Sequence, residues 1–334
     1  MKMKKIAGYF LILCGLLTAT GCSDNSAKKE ESSSKEVSQT TSVTEAAETS
    51  ETDITAVTIV SSESKAGEED KAENVLSESE IQLLKVNKRE LYDSEWSDEH
   101  GIMLVESERS SVLLGSEEAE RYPELAAELN RISSEQESDM KDEFSMLTEL
   151  ANEKLSYGSE NFEPVVSGLD AHVRRADNTV LSVLSEAYLN NGINSGYKWF
   201  EGRNYDTKTG RELLLSDVVT DIDKFAEAAQ VKLISIAAKD VADCETVIKE
   251  YFEENDADEM QWTLDYNGIT VYFSEGEISA AGFSTAAVTV SFAEHPDLFR
   301  EKYTKAPEAY IVSFPVDSAF YTDFDGNGSC EELT

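Results

Sequence analysis

The chain has 334 residues, with 67 Asp and Glu against 29 Lys and Arg and a formal net charge of −38 at pH 7. That balance argues against nucleic acid as a partner, which needs clustered Lys and Arg, and favours basic partners or cations. Four cysteines are too few for a disulfide-stapled fold.

At the N-terminus, Lys2, Lys4 and Lys5 precede an apolar run from Ile6 to Leu17. A run of about a dozen residues suits the core of a secretory signal and is too short to span a bilayer, which takes ~20. Thr18, Ala19, Thr20 and Gly21 then lead to Cys22. The run resembles the lipobox of bacterial lipoproteins, with Ala19 where leucine is commoner. The resemblance implies a signal peptide over 1–21, lipidation of the Cys22 thiol, and anchoring on the outer face of the cytoplasmic membrane. A plain signal peptide and an uncleaved anchor are the two alternatives. Residues 22–80 are Ser, Thr, Glu, Lys and Ala with acids in excess; they bury too little apolar area to offset the entropy of ordering and are expected to be a disordered tether. A chain of that length spans roughly 40 Å end to end.

Folded structure is expected over 81–320. Strands are predicted at 81–92 and 101–114, with Glu99-His100-Gly101 as the turn between them. A helix opens at Ser116 and carries Ala119, Tyr122, Leu125, Leu129 and Ile132 at threes and fours; helix resumes over 140–155 and closes at Gly158. Strands follow at 164–175 and 179–188, joined at Asp177-Asn178, and at 197–205. Helices are predicted at 221–238 and 241–252, strands at 261–266, 269–273 and 286–292, a short helix at 295–303 and a last strand at 309–314. Strand groups with helices inserted between them make the fold class α+β.

Three blocks carry a resemblance. Residues 204–219 (NYDTKTGRELLLSDVV) read as a strand end, a Lys-Thr-Gly turn, an apolar run and a Ser-Asp cap. Residues 262–273 (WTLDYNGITVYF) hold Asn267-Gly268, a strong hairpin signal. In residues 275–292, Glu277-Ile278 is followed by Gly282 and an apolar strand. In this order they resemble the extracellular domain shared by RsiV-type anti-sigma factors and PdaC-type peptidoglycan deacetylases, over roughly residues 85–295. The resemblance implies an RsiV-like α+β domain, its N-terminal part 81–190 and its C-terminal part 191–320, that binds cell-wall-related ligands; in anti-sigma members the implied ligand is lysozyme, a basic protein. Two features depart from the family. Residues 190–196 keep glycines but lack the histidine of a Gly-Gly-Ala-His-Gly-like stretch, and residues 1–5 leave no room for a sigma-binding segment.

The acidic tail, 321–334, places Asp323, Asp325, Asn327, Ser329 and Glu331 at alternate positions of a glycine-containing loop. Hard oxygen ligands at that spacing suit a weakly bound calcium ion, and the run resembles the calcium loops of integrin-like and dockerin-like repeats. Position twelve is Thr334 instead of the glutamate of an EF-hand. An acidic tail with no ion is the alternative. Cys244 and Cys330 either pair or are two unrelated thiols. His100, His172 and His295 make no metal spacing. No nucleophile-elbow, zinc-protease, P-loop or dinucleotide motif is present, and Trp96, Trp199 and Trp262 are expected in the core. The expectation is a non-catalytic surface binding or sensing module for a protein or cell-wall ligand; a cell-wall hydrolase with an unrecognised active site is the alternative.

Overall fold

A computed structural model describes residues 51–52, 81–160, 162–191, 196–237, 243–313, 320–322 and 331–333. The fold is α+β, built on two mixed sheets. The first sheet runs in the order β1 to β6: β1 (Glu51–Thr52), β2 (Val86–Ser97), β3 (Ile102–Leu114), β4 (Val165–Ala176), β5 (Val180–Asn190) and β6 (Tyr197–Asp206). Neighbours are antiparallel except β3 and β4, which are parallel. Between those two the chain crosses over through α1 (Ser116–Arg121) and α2 (Pro123–Ser156), as parallel pairing requires.

Pro123 opens α2 at its first turn, where its missing N–H costs nothing. The predicted gap between Ile132 and Met140 is absent: α2 is one helix of 34 residues, about 51 Å long. Its polar middle stays helical because Arg131–Glu135 and Lys141–Glu137 pair one turn apart. It also binds the sheet beneath, where the Ser133 hydroxyl meets Ser111 and accepts from Arg89. Leu125, Leu129 and Ile132 share a core with Ala171, Leu181 and Val183.

The second sheet has the order β11-β10-β9-β8-β7, with β7 (Gln261–Leu264), β8 (Gly268–Phe273), β9 (Ala286–Ser291), β10 (Phe320–Thr322) and β11 (Glu331–Leu333). β7, β8 and β9 form an antiparallel meander, and β10 is parallel to β9. Asn267-Gly268 sits in the expected hairpin, but Gly268 already pairs with Ser291, so the turn is Asp265-Tyr266-Asn267. α3 (Leu215–Val218), α4 (Ile222–Ile236) and α5 (Cys244–Glu254) accompany this sheet. Phe225, Ala229, Leu233 and Ile248 join Val271, Phe273, Val288 and Val290 in its core.

Two C-terminal expectations are corrected. Over 295–303 there are two 3-10 turns, Pro296–Leu298 and Glu301–Tyr303, instead of one helix. Between them Phe299 is extended, bridges to Val219, and buries its ring against Phe225 and Phe292. Residues 309–313 form no strand; Ser313 meets β4, its N–H and hydroxyl both donating to the Val173 carbonyl.

The two sheets meet where β6 crosses β7. A Cβ on Gly202 would collide with the backbone of Trp262, so only glycine allows this approach. Beside it, the Asn204 amide donates to the Trp262 carbonyl and accepts from the Leu264 N–H, at 2.9 and 2.8 Å. Asn204 thus takes the place of a strand along the outer edge of β7. Asn204 belongs to the block 204–219 and Trp262 to 262–273, so these two sequence blocks touch in space.

Candidate ligand-binding face

Side chains alternate across a strand, and the register sorts the first sheet into two faces. Odd positions face α2: Arg89 with Glu137, Arg109 with Glu143, Ser111 with Ser133. Even positions form the other face. The second sheet covers its β5–β6 corner, where Leu184 and Phe200 pack on Tyr272 and Ala287.

The uncovered remainder lies in rows. Tyr92 is opposite Glu108, Glu108 opposite Gly168, Gly168 opposite Tyr188 and Tyr188 opposite Lys198. The next row is Glu90, Ser110, Asp170 and Glu186: Glu90 pairs with Ser110 and Asp170 with Glu186, while the Ser110 hydroxyl donates to Asp170 at 2.7 Å. Glu106 stands beside Glu108 and accepts from the Tyr92 hydroxyl at 3.2 Å. A Cβ on Gly168 would collide with the Tyr188 ring; without one, the ring lies across β4 and carries its hydroxyl toward β3.

This face gathers Glu90, Glu106, Glu108, Asp170 and Glu186. Lys88 offsets Asp170 at 2.5 Å and Lys198 offsets Glu186 at 3.0 Å. Burial pushes the pKa of His172, beside Asp170 at 3.3 Å, down. Glu108 is left among like charges. Partial burial of its carboxyl, then Glu106, Asp170 and Glu90, push its pKa up. Burial, then Glu108, Glu106, Asp170 and Glu186, raise that of Tyr188. Asp170 goes the other way: burial alone would raise it, but the hydrogen bonds from Lys88 and Ser110 prevail and hold it low.

Charge between the sheets is handled differently. A bulge in β4 between Val173 and Arg175 places two consecutive arginines in the interior, a re-aiming that bulges permit. Arg174 grips Asp265 through Nε and Nη2, at 3.1 and 2.8 Å, and donates Nη1 to the Ser313 carbonyl. Thr263 and Thr270 donate to the same carboxylate. Arg175 pairs with Asp177 at 2.7 Å and donates to the carbonyls of Tyr303 and Lys305. Asp177 in turn caps the β4–β5 turn through the N–H groups of Thr179 and Val180.

Of the residues singled out in the sequence, Cys22, Asp323, Asp325, Asn327, Ser329 and Cys330 lie outside the described residues. Glu331 begins β11, in register with Thr322 at the end of β10. Cys244 opens α5 as a free, half-buried thiol. Among the described residues no group of three His, Cys, Asp or Glu side chains is placed to hold a metal, and no helix is long and apolar enough to cross a membrane. Trp262 is buried as expected, but Trp96 is 56% exposed at the end of β2. The acidic face was missed. Its signal was the alternation Glu106-x-Glu108, one row along from Glu90, which gains meaning only once β3, β4 and β5 are in register.

No protein-family model matches the chain, and no curated protein does. Among solved structures, a DUF3298 family member from Bacteroides fragilis is similar over 66% of this chain and 94% of its own, with TM-score 0.47 and 14% identity. A DUF3298 family protein from Pseudomonas aeruginosa is similar over 67% of this chain and 98% of its own, with TM-score 0.41 and 14% identity.

Proposed function

We propose that the protein is a lipid-anchored, non-catalytic surface module of the RsiV-like family whose acidic sheet face docks a basic protein. The observation that carries the reading is the cluster of carboxylates Glu90, Glu106, Glu108 and Asp170, held on adjoining strands and only partly neutralised by Lys88. Such a face raises the encounter rate with a cationic partner and disfavours acidic ones. Lysozyme, the ligand implied by the family resemblance, is the probe. Titration of the chain with lysozyme by calorimetry is expected to give binding that weakens steeply with salt. The Glu106→Gln, Glu108→Gln variant is expected to lose roughly tenfold or more in affinity. Heat that is absent at physiological salt, or unchanged in the variant, overturns the reading.

The anchor and the ion belong to the same proposal. Cys22→Ser is expected to abolish incorporation of labelled palmitate. The β10–β11 pairing brings Thr322 and Glu331 together on either side of residues 323–330, which is compatible with a loop closing on calcium; calcium titration of the chain against Asp325→Ala tests it.

A further inference from the structure

We infer that the outer edge of β2, residues 90–97, receives an extended basic segment of the partner as an added strand. The inference deepens the reading above and rests on it for the sign of the partner's charge.

β2 is twelve residues long, and β1 covers it only at Lys88 and Arg89. Among the described residues nothing pairs with the backbone edge beyond Arg89. Alternate residues of a strand turn their N–H and C=O groups to opposite edges. The Ser94 N–H donates to the carboxylate of its own neighbour Asp93, at 3.0 Å; it therefore faces outward, and the N–H groups of Tyr92 and Glu90 share its direction. An edge with free donors and acceptors is a template for another strand.

The side chains along this edge state what it accepts. Every charged residue of 90–97 is acidic: Glu90, Asp93 and Glu95. Proteins that guard an edge favour lysine or proline there, and neither occurs in 90–97. Tyr92, on the acidic face, and Trp96, four residues on and just past a shift in the β2–β3 register at Glu95/Trp96, are two exposed aromatics at 54% and 56%. An incoming strand with Arg or Lys at alternate positions meets these rings and Glu90 on that side. A second copy of the same edge would set acid against acid, so the occupant is a basic segment of a partner and not a second β2 edge.

The test uses the full chain and an end-capped heptapeptide alternating arginine with valine, with hydrogen exchange read on β2. At saturation, exchange of the outward amides in 90–97 is expected to slow roughly tenfold or more, and Trp96 emission to shift. The same peptide, methylated on alternate backbone nitrogens, keeps its charge but cannot pair; it is expected to bind roughly tenfold more weakly. Ser94→Pro removes one outward donor and is expected to weaken binding likewise; should it not fold, the methylated peptide decides. Equal binding of the two peptides, or unchanged exchange over 90–97, overturns the inference. If lysozyme binding still falls in the Glu106→Gln, Glu108→Gln variant while β2 exchange is unchanged, strand addition fails and the acidic-face reading stands. If β2 is protected while that variant binds normally, the edge holds and the face reading fails.

Discussion

The first sheet presents charge in two settings, and the two obey opposite rules. At the sheet–sheet junction, Arg174 and Asp265 are each only 4% exposed in their side chains, and Thr263, Thr270 and the Ser313 carbonyl also bond to them. On the uncovered face, level with Gly168 and six residues along β4 from Arg174, Glu108 has like charges for neighbours and a raised pKa. Removing charge from water is tolerated only with matched partners, so the interior pair is there for the fold. A solvated face can carry unmatched charge at small cost, and what it leaves unmatched remains available to a ligand.

The comparison breaks most visibly at Asp265. Asp265→Ala strands a buried guanidinium and is expected to destabilise the protein by roughly 3–5 kcal/mol, measured by urea unfolding. A loss under about 1 kcal/mol would mean that the junction is wet and the two settings are not distinct. Gly202→Ala forces β6 away from β7 and should cost roughly 1–3 kcal/mol, with the Trp262 fluorescence altered in the native state. A neutral result would show that the close approach is dispensable. On the open face the sign reverses. Glu108→Gln is expected to stabilise by roughly 0.2–1 kcal/mol, at the low end because the side chain is exposed. Its folded pKa is raised, so the group contributes stability below the ordinary glutamate range and loses it as pH rises through the raised value. The advantage of Gln should therefore appear at neutral pH and vanish in acid; an advantage that persists in acid would locate the effect elsewhere. Trp96→Ala is the smallest, within ~0.5 kcal/mol on stability while reducing peptide binding. A large stability loss would make Trp96 a packing residue after all.

Much of the strand architecture was legible because alternation and turn residues coincide. Glu99-His100-Gly101, Asp177-Asn178 and Asn267 all fall between paired strands, and Gly268 opens β8. The helical break before Met140 was misread because periodicity detects apolar burial, and Ser133 is buried by a hydroxyl contact with Ser111. The strand at 309–314 was misread for the converse reason: Tyr310 and Ile311 look like strand residues, yet Tyr310 stacks on Tyr266 and Ile311 is exposed. The bulge at Arg174 gives no local signal, so the pairing of Arg174 with Asp265, 91 residues apart, could not be read. The acidic face needed the same long-range register. Its carboxylates are among 67 acids, and spacing alone does not single them out.

The parallel seam between β3 and β4 also sets the order in which this molecule can assemble. Ser107 and Ser167 meet across it from 60 residues apart, whereas β2–β3 and β4–β5–β6 are joined by short hairpins. Local pairings close early and long loops close late. Two independent ribbons should therefore form first, and the seam should wait for α2 to shorten the chain between them. The slow step of folding is then the closure of that seam, and mutations in α2 that favour helix should accelerate it.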